Sequence, residues 1–416
     1  MTTEKLELID VDKLVPYVNN ARTHSESQLK MLQASLREFG FINPVLVDAD
    51  LNVIAGHGRI MAAKAEGLTQ VPCVFVEHLT DAQKRAYILA DNRLAEIAGW
   101  DEELLKIELD ALKELNFDIS LTGFDDFKFT ESKIEEDNFD VEAELTKPAI
   151  TQLGDVVFLG RHKIICGDST KRETYEKLLG NTAVELVISD PPYFVAEENG
   201  SGKILNDDLN AKDGYKFLCA AFENFHAALA RESAIYIFYA TSKTRIFFDA
   251  FEDSGFKVLA GLVWKKDTLV PSHGDFQFNH EPIIYGCLKT GAHNFFGDRC
   301  QTTVFEFPRI KNSVAEGWNH PSSKPIPLIS YLMSLSSKRG DKVLDGFLGS
   351  ASTLIAAEQL GRICYGIELV NGFVDVAIER YANLVGSYKN IFVERNGEKI
   401  PYEQLKTNCT ATSSVL

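Results

Sequence analysis

A chain of 416 residues with 45% hydrophobic and 25% charged side chains is long enough for two or three globular domains. No apolar run nears the ~20 residues of a membrane span, and the opening "MTTEKLELID" lacks the basic-then-apolar form of a signal peptide; a cytoplasmic protein with no membrane partner is expected. The net charge of −17 argues against a nonspecific DNA binder, yet it is uneven: 12 basic against 20 acidic groups in residues 1–124, 2 against 9 in 125–144, and 29 against 31 in 145–416.

The first elements alternate helix and strand. "SESQLKMLQASLREFG" spaces Ser25 and Gln28 as a capping box, sets Leu29, Leu32, Leu36 and Phe39 on one helical face, and stops at Gly40. Strands are expected in "PVLVD" (44–48), "NVIAG" (52–56) and "VPCVFVEH" (71–78), with "HGRIMAAKAEG" between the last two. Thr80 and Gln83 form a second capping box for a helix through "DAQKRAYILADNRLAE". Residues 1–124 therefore read as a small α+β domain. Residues 125–147 are rich in carboxylates without periodicity, which marks a solvated acidic linker. From 148 to 388, strands such as "HKIICG", "AVELVIS", "SAIYIFYA", "DKVLDGF" and "RICYGIEL" alternate with helical stretches, the pattern of an α/β, doubly wound, mostly parallel sheet. Residues 389–416 read as an extension whose polar end, "TNCTATSSVL", is disordered. The seven cysteines are odd in number and never in CxxC pairs, so neither a disulfide framework nor a metal site is expected.

Two constellations carry chemistry. In "VISDPPYF" a buried strand ends in Asp190, and Pro191 and Pro192 fix the backbone while removing N–H groups that would compete for carbonyls. A planar group with N–H donors fits against Tyr193 and those acceptors. In "KVLDGFLGSASTLIAAEQLGRICYGIELV" a strand enters a loop with Gly346 and Gly349, a helix follows, and the next strand ends in Glu368, 23 residues after Asp345. That is the layout of an adenosine-type site, with an acid placed for ribose hydroxyls; the loop is no GxGxxG, which disfavours a dinucleotide. Taken singly, each signal has a plain alternative: DPPY a strand-to-loop turn, Glu368 a surface acid, Phe347 core, His280 in "FNHEP" a hydrogen-bonded structural histidine.

Together, "DPPY" (190–193), "DGFLGSA" (345–351) and Glu368 resemble the S-adenosylmethionine-dependent amino-methyltransferases of DNA, and the order of the motifs resembles their beta subclass. "NHPSSKP" (319–325) resembles the His-Pro-x-x-Lys-Pro segment that closes over the cofactor, and "CGDS" (166–169) the strand end whose Asp meets its adenine. The resemblance implies a Rossmann-like methyltransferase domain, S-adenosyl-L-methionine as cofactor, and double-stranded DNA as partner. It implies Asp190, Pro191, Pro192 and Tyr193 as the catalytic segment. Asp168, Ser323, Lys324, Asp345, Phe347, Gly349, Ser350 and Glu368 follow as cofactor-binding residues. Asp before the prolines favours the N6 of adenine, with the N4 of cytosine as the alternative. Target reading falls to about 195–320, with Lys203, Lys265, Lys266 and His273 for phosphates or base edges. Ala351 stands where the family carries a second glycine. The expectation is a tolerated replacement that weakens cofactor binding, because packing rather than a positive φ is taken as the glycine's role.

The N-terminal domain resembles ParB/sulfiredoxin-like domains through residues 40–76, and its fusion to a methyltransferase resembles phage and mobile-element proteins, including restriction-modification types. "GHGR" (56–59) takes the place of a Gly-Glu-Arg-Arg phosphate-binding segment, which makes Gly56, His57 and Arg59 the candidates for a nucleotide or DNA ligand; the plain alternative is that His57 and Arg59 close a turn. Two further readings stand beside the methyltransferase: a lapsed enzyme that only binds DNA, and a nucleotide-dependent clamp or nuclease in which the N-terminal domain leads. Neither the target sequence nor the oligomer, a homodimer included, follows from these residues.

Overall fold

A computed structural model of the chain describes residues 6–413 apart from 101, 126, 128–133, 138, 196–197, 200–201, 204–206, 271–274, 299 and 310–322. The chain divides into two compact units, one up to residue 130 and one from residue 131. No described helix is long and apolar enough to cross a membrane.

In the first unit a four-stranded sheet runs in the order Leu6–Asp10, Gln70–Phe75, Val45–Val47, Val53–Ala55. Alternation of small β-branched residues buries Val45, Val47, Val53, Val71 and Cys73 against Ile60 and Ala63 of the helix His57–Ala65. The first strand was not anticipated; Leu6 and Leu8 lie exposed on this edge strand. Both halves of the capping box form at Thr80 and Gln83. At Ser25 only one half forms: Ser25 accepts the Gln28 N–H, while the Gln28 side chain turns to the His24 ring at 3.0 Å.

The second unit is built on an 11-stranded sheet. Its order is Val304–Glu306, Phe256–Val270, Phe278–Leu288, Leu229–Phe238, Val184–Ser189, Lys342–Asp345, Ile363–Glu368, His162–Cys166, Val156–Leu159, Ile391–Arg395, Glu398–Pro401. The expected mostly parallel sheet is a mixed one: five strands from Leu229–Phe238 to His162–Cys166 run parallel, while antiparallel strands extend both flanks. The period-two alternation explains the layers. Leu186, Ile188 and Val343 face the helices Ile326–Ser336, Ser352–Leu360 and Asn371–Val385, whereas Val187 and Leu344 face Arg172–Leu179, Ala211–Ala228 and Thr244–Asp253.

Two segments read as appendages belong to this unit. The hairpin Ile391–Arg395 with Glu398–Pro401 continues the sheet, and a helix, Tyr402–Ser413, stands where a disordered tail was expected, with Tyr402 buried beside Tyr388. The acidic stretch is not a solvated linker over residues 134–137 and 139–147. Asp137 grips the Arg380 guanidinium through both oxygens, at 2.6 and 2.8 Å, and Arg380 Nη1 donates to the Ser350 carbonyl at 2.5 Å. Glu136 accepts the Ile326 N–H at 2.8 Å, and burial pushes its carboxyl up to about 7. Asp140 then caps a short helix, Val141–Leu145. Composition alone misreads this strap because its carboxylates find basic and N–H partners hundreds of residues away.

Candidate active site

The chain leaves the strand Val184–Ser189 for its neighbour Leu229–Phe238 on one side, while Lys342–Asp345 continues to Ile363–Glu368 on the other. A crevice opens outside the carboxyl ends of strands at such a switch point. Here it is a cavity of about 750 Å³ whose lining includes Asp168, Asp190, Tyr193, Phe347 and Glu368. That lies within the range that holds small ligands and cofactors.

The two motifs are bolted together by a residue the sequence reading passed over. Ser189 Oγ donates to Asp345 Oδ1 at 2.8 Å and accepts the Gly346 N–H at 3.1 Å. Asp345 also accepts the Phe347 N–H at 3.0 Å and the Thr353 hydroxyl at 2.7 Å, and burial pushes its carboxyl up to about 6. These bonds shape the loop that follows the strand. Gly346 is required by contact: a Cβ there would fall 2.4 Å from Phe225 and 2.8 Å from Ser169 Oγ. Ala351 has φ +68°, in the left-handed region, at the N-cap of Ser352–Leu360. The expectation that packing alone mattered at this position is thus overturned, since a positive φ is what glycine would supply.

Glu368 accepts the Gly349 N–H and the Val370 N–H, each at 2.8 Å, and burial raises its pKa. Each carboxylate oxygen has two lone pairs, so acceptor capacity remains for hydroxyls. Asp168 accepts the Thr170 N–H at 2.8 Å and hydroxyl at 2.7 Å. Ser323 donates to Ser350 at 3.1 Å, and Phe347 packs on Phe217 and Phe225 while lining the cavity.

Asp190 meets more than the sequence suggested. Tyr193 donates its hydroxyl to Asp190 Oδ1 at 2.6 Å, and the Lys324 ammonium lies 2.5 Å from Oδ2. Lys324, expected at the cofactor, is also 3.3 Å from Glu281, which in turn holds Lys266 at 2.5 Å. The Lys324 ammonium lies over the rings of Tyr193 and Phe238 at 5.5 and 5.2 Å. Burial raises Asp190 against the opposing pull of Lys324 and Tyr193. Burial alone would lower Lys324, but Asp190 and Glu281 together hold it above its ordinary value, so the proton stays on the lysine. Glu281 went unnoticed in "FNHEP"; its signal was an acid opening an otherwise apolar strand.

The expected DNA contacts fare unevenly. Lys266 is a correction: its side chain is 7% exposed and spent on Glu281, so it is not a phosphate contact. Lys265 pairs with Glu306 at 2.6 Å on a half-exposed edge. Lys203 lies in the short strand Gly202–Lys203, and His273 falls outside the described residues. In the first unit, Arg59 donates to the carbonyls of Asn43 and Pro44 at 2.7 and 3.1 Å, and His57 Nε2 accepts the Tyr17 N–H at 3.2 Å. Gly56, with φ +102°, starts the helix they sit on. These bonds close the turn at the start of that helix. Burial lowers the His57 pKa, which suits an acceptor nitrogen. Among the described residues no cluster of three His, Cys, Asp or Glu is placed to hold a metal.

The DNA methylase model matches residues 184–379, which span both motifs and the crevice between them. Residues 184–379 form a DNA methylase domain. This DNA methylase is also matched by the ParB N-terminal domain over residues 1–93 and by the ParB-methyltransferase HTH domain over 103–153. Its first unit is similar to the ParB-like nuclease domain-containing protein YnaK of Escherichia coli (strain K12), 45% identical over 85 residues, 20% of this chain and 98% of that one. The type II methyltransferase M2.MboI of Moraxella bovis is 24% identical over 241 residues, covering 53% of this chain and 88% of the relative. DNA adenine methyltransferase YhdJ of Escherichia coli (strain K12) is 25% identical over 229 residues, covering 48% and 76%. The methylase acts on DNA, and its family uses S-adenosylmethionine as methyl donor. The cavity volume, the close-approach glycine and the strand-end acid all fit such a donor.

Proposed function

We propose that this methylase transfers a methyl group to the exocyclic N6 of an adenine flipped out of double-stranded DNA in the cytoplasm. The observation that carries the reading is the Ser189–Asp345 pair, which sets the end of the DPPY strand beside the cofactor loop within one cavity. Bound S-adenosylmethionine supplies an electrophilic methyl group. Glu368 would accept hydrogen bonds from the donor's ribose, while Asp168, Phe347 and the loop Gly349–Ser350 would surround its adenosine. The target base has to leave the stack to reach this crevice. Tyr193 then stacks on it, a contact worth about 1–3 kcal/mol. Asp190 and the Pro191 carbonyl accept the amine hydrogens, which turns the nitrogen lone pair toward the methyl group. Once methylated, the nitrogen loses a proton, which Asp190 accepts and passes to solvent. Much of the rate comes from this positioning.

Adenine is favoured by the Asp that opens DPPY and by the likeness to a relative named as a DNA adenine methyltransferase. For the first unit we propose a nucleotide or DNA ligand at Gly56, His57 and Arg59, tested by nucleotide binding to the full chain and to Arg59→Ala. The main test is labelled methyl transfer to unmethylated DNA, with nucleoside analysis and Asp190→Ala as control. N6-methyladenine that vanishes in the variant is the expected result; N4-methylcytosine would correct the base, and no transfer together with no cofactor binding would overturn the reading.

A further inference from the structure

Four charges of alternating sign form a row that begins in the crevice lining at Asp190 and Lys324 and continues to Glu281 and Lys266, with successive N–O separations of 2.5, 3.3 and 2.5 Å. They come from three separate places in the chain. Asp190 follows the strand Val184–Ser189, Lys324 precedes the helix Ile326–Ser336, and Glu281 and Lys266 lie on the paired strands Phe278–Leu288 and Phe256–Val270. The Tyr193 hydroxyl spans the same gap, 2.6 Å from Asp190 and 3.3 Å from Glu281.

An ammonium resting on Asp190 cancels most of its charge, and in a dry crevice that loss is felt strongly. The amine that takes the methyl becomes cationic, so the transfer needs that negative charge. It also brings a new positive charge toward an existing one on Lys324. Glu281 offers Lys324 and Tyr193 a second acceptor. Burial works against a charged Glu281, but Lys324 and Lys266 overcome it and keep the carboxyl below its ordinary range. We propose that Glu281 is a positioning residue for methyl transfer, sharing Lys324 and Tyr193 with Asp190 so that Asp190 keeps part of its charge for the target amine. This rests on the reading of Asp190 given above.

The test is the single-turnover rate of methyl transfer across pH at saturating S-adenosylmethionine, with the full chain and three variants: Glu281→Gln, Glu281→Gln/Lys324→Met and Asp190→Ala. Glu281→Gln should slow transfer on the order of tenfold, the size of coupling found within one ion-pair network, with cofactor affinity unchanged within about twofold. Asp190 faces Lys324, Tyr193 and Glu281, with Asp345 at the neighbouring strand end. Losing the Glu281 charge removes one cause of Asp190's raised pKa, so the acid limb of the rate should move to lower pH. Adding Lys324→Met should restore part of the rate at alkaline pH, because nothing then cancels Asp190. A wild-type rate in Glu281→Gln, a loss that resides in cofactor affinity, or a deeper loss on adding Lys324→Met would each overturn the inference. If Glu281→Gln fails to fold, Glu281→Gln/Lys266→Met, which removes a balanced pair, carries the same expectations. Asp190→Ala separates the two claims: activity in that variant sinks the Asp190 reading, whereas its inactivity beside a full-speed Glu281→Gln sinks only the role of Glu281.

Discussion

Asp137→Ala probes the acidic strap. The Arg380 side chain is 4% exposed and held by both Asp137 oxygens, while its third nitrogen fixes the Ser350 carbonyl at the cofactor loop. Removing one partner of a fully buried pair costs about 3–5 kcal/mol, because the remaining charge is left unpaired. Asp137 is itself 22% exposed, so solvent screening lowers the expected loss to roughly 2–3 kcal/mol. At about 2–4 °C per kcal/mol, the melting temperature of the second unit should fall by roughly 5–10 °C in calorimetry. Titration calorimetry should also show weaker S-adenosylmethionine binding, since Ser350 loses its tether. Asp137→Leu/Arg380→Met, which removes both charges, should stay near the wild-type melting temperature. A melting temperature for Asp137→Ala within about 1 °C of wild type would refute the claim that the strap belongs to the catalytic unit.

Three further expectations follow from the site and its surroundings. Ala351→Val should destabilise the second unit by more than about 2 kcal/mol in denaturant unfolding, since a β-branched residue is strained at φ +68°; Ala351→Gly should be nearly neutral, because relief of about 1–2 kcal/mol is offset by glycine's entropy and a lost buried methyl of about 0.8 kcal/mol. Asp375 accepts the Ile150 N–H at 2.7 Å, and burial pushes its carboxyl up to about 6, so its folded form binds a proton more tightly than its unfolded form. That contribution is full below the unfolded carboxylate value and lost as pH rises through about 6, so Asp375→Asn should flatten the decline in melting temperature across that window. Lys266→Met should leave the salt dependence of DNA binding unchanged while slowing methyl transfer, the reverse of what a phosphate contact would do.

The strand ends that line the cavity were legible because each part is local. Asp190, Asp345 and Glu368 all sit where a run of buried residues ends, and strand ends are readable from apolar patterning. The core helices and glycine loop followed for the same reason. What escaped depends on who meets whom across the chain. Glu281 gains its partners only because Phe278–Leu288 pairs with Phe256–Val270 in a register that sets it opposite Trp264. Lys266 looked like a phosphate ligand because a lysine in a string does not reveal the acid that buries it. The positive φ of Ala351 is a backbone property imposed by the turn into its helix. The strap was lost because carboxylate density reads as solvation until Arg380 and the Ile326 N–H are placed beside it. The antiparallel flanks were lost because short strands look alike whichever way they run.

The centre of the sheet is assembled out of chain order, which bears on how the enzyme is made. Val184–Ser189 lies between Leu229–Phe238 and Lys342–Asp345, and Ser189 meets Asp345 across 156 residues. At a synthesis rate of about 5–20 residues per second, the DPPY strand waits roughly 8–30 s for the strand that completes its crevice. During that interval its apolar edge has no partner from that side, a state prone to aggregation. The first unit has its whole sheet within residues 6–75 and is free to fold long before. A growing chain thus carries a finished ParB-like unit ahead of an enzyme that does not yet exist, and a product halted between Phe194 and Asp345 holds the DPPY segment without the cofactor loop that gives it a use.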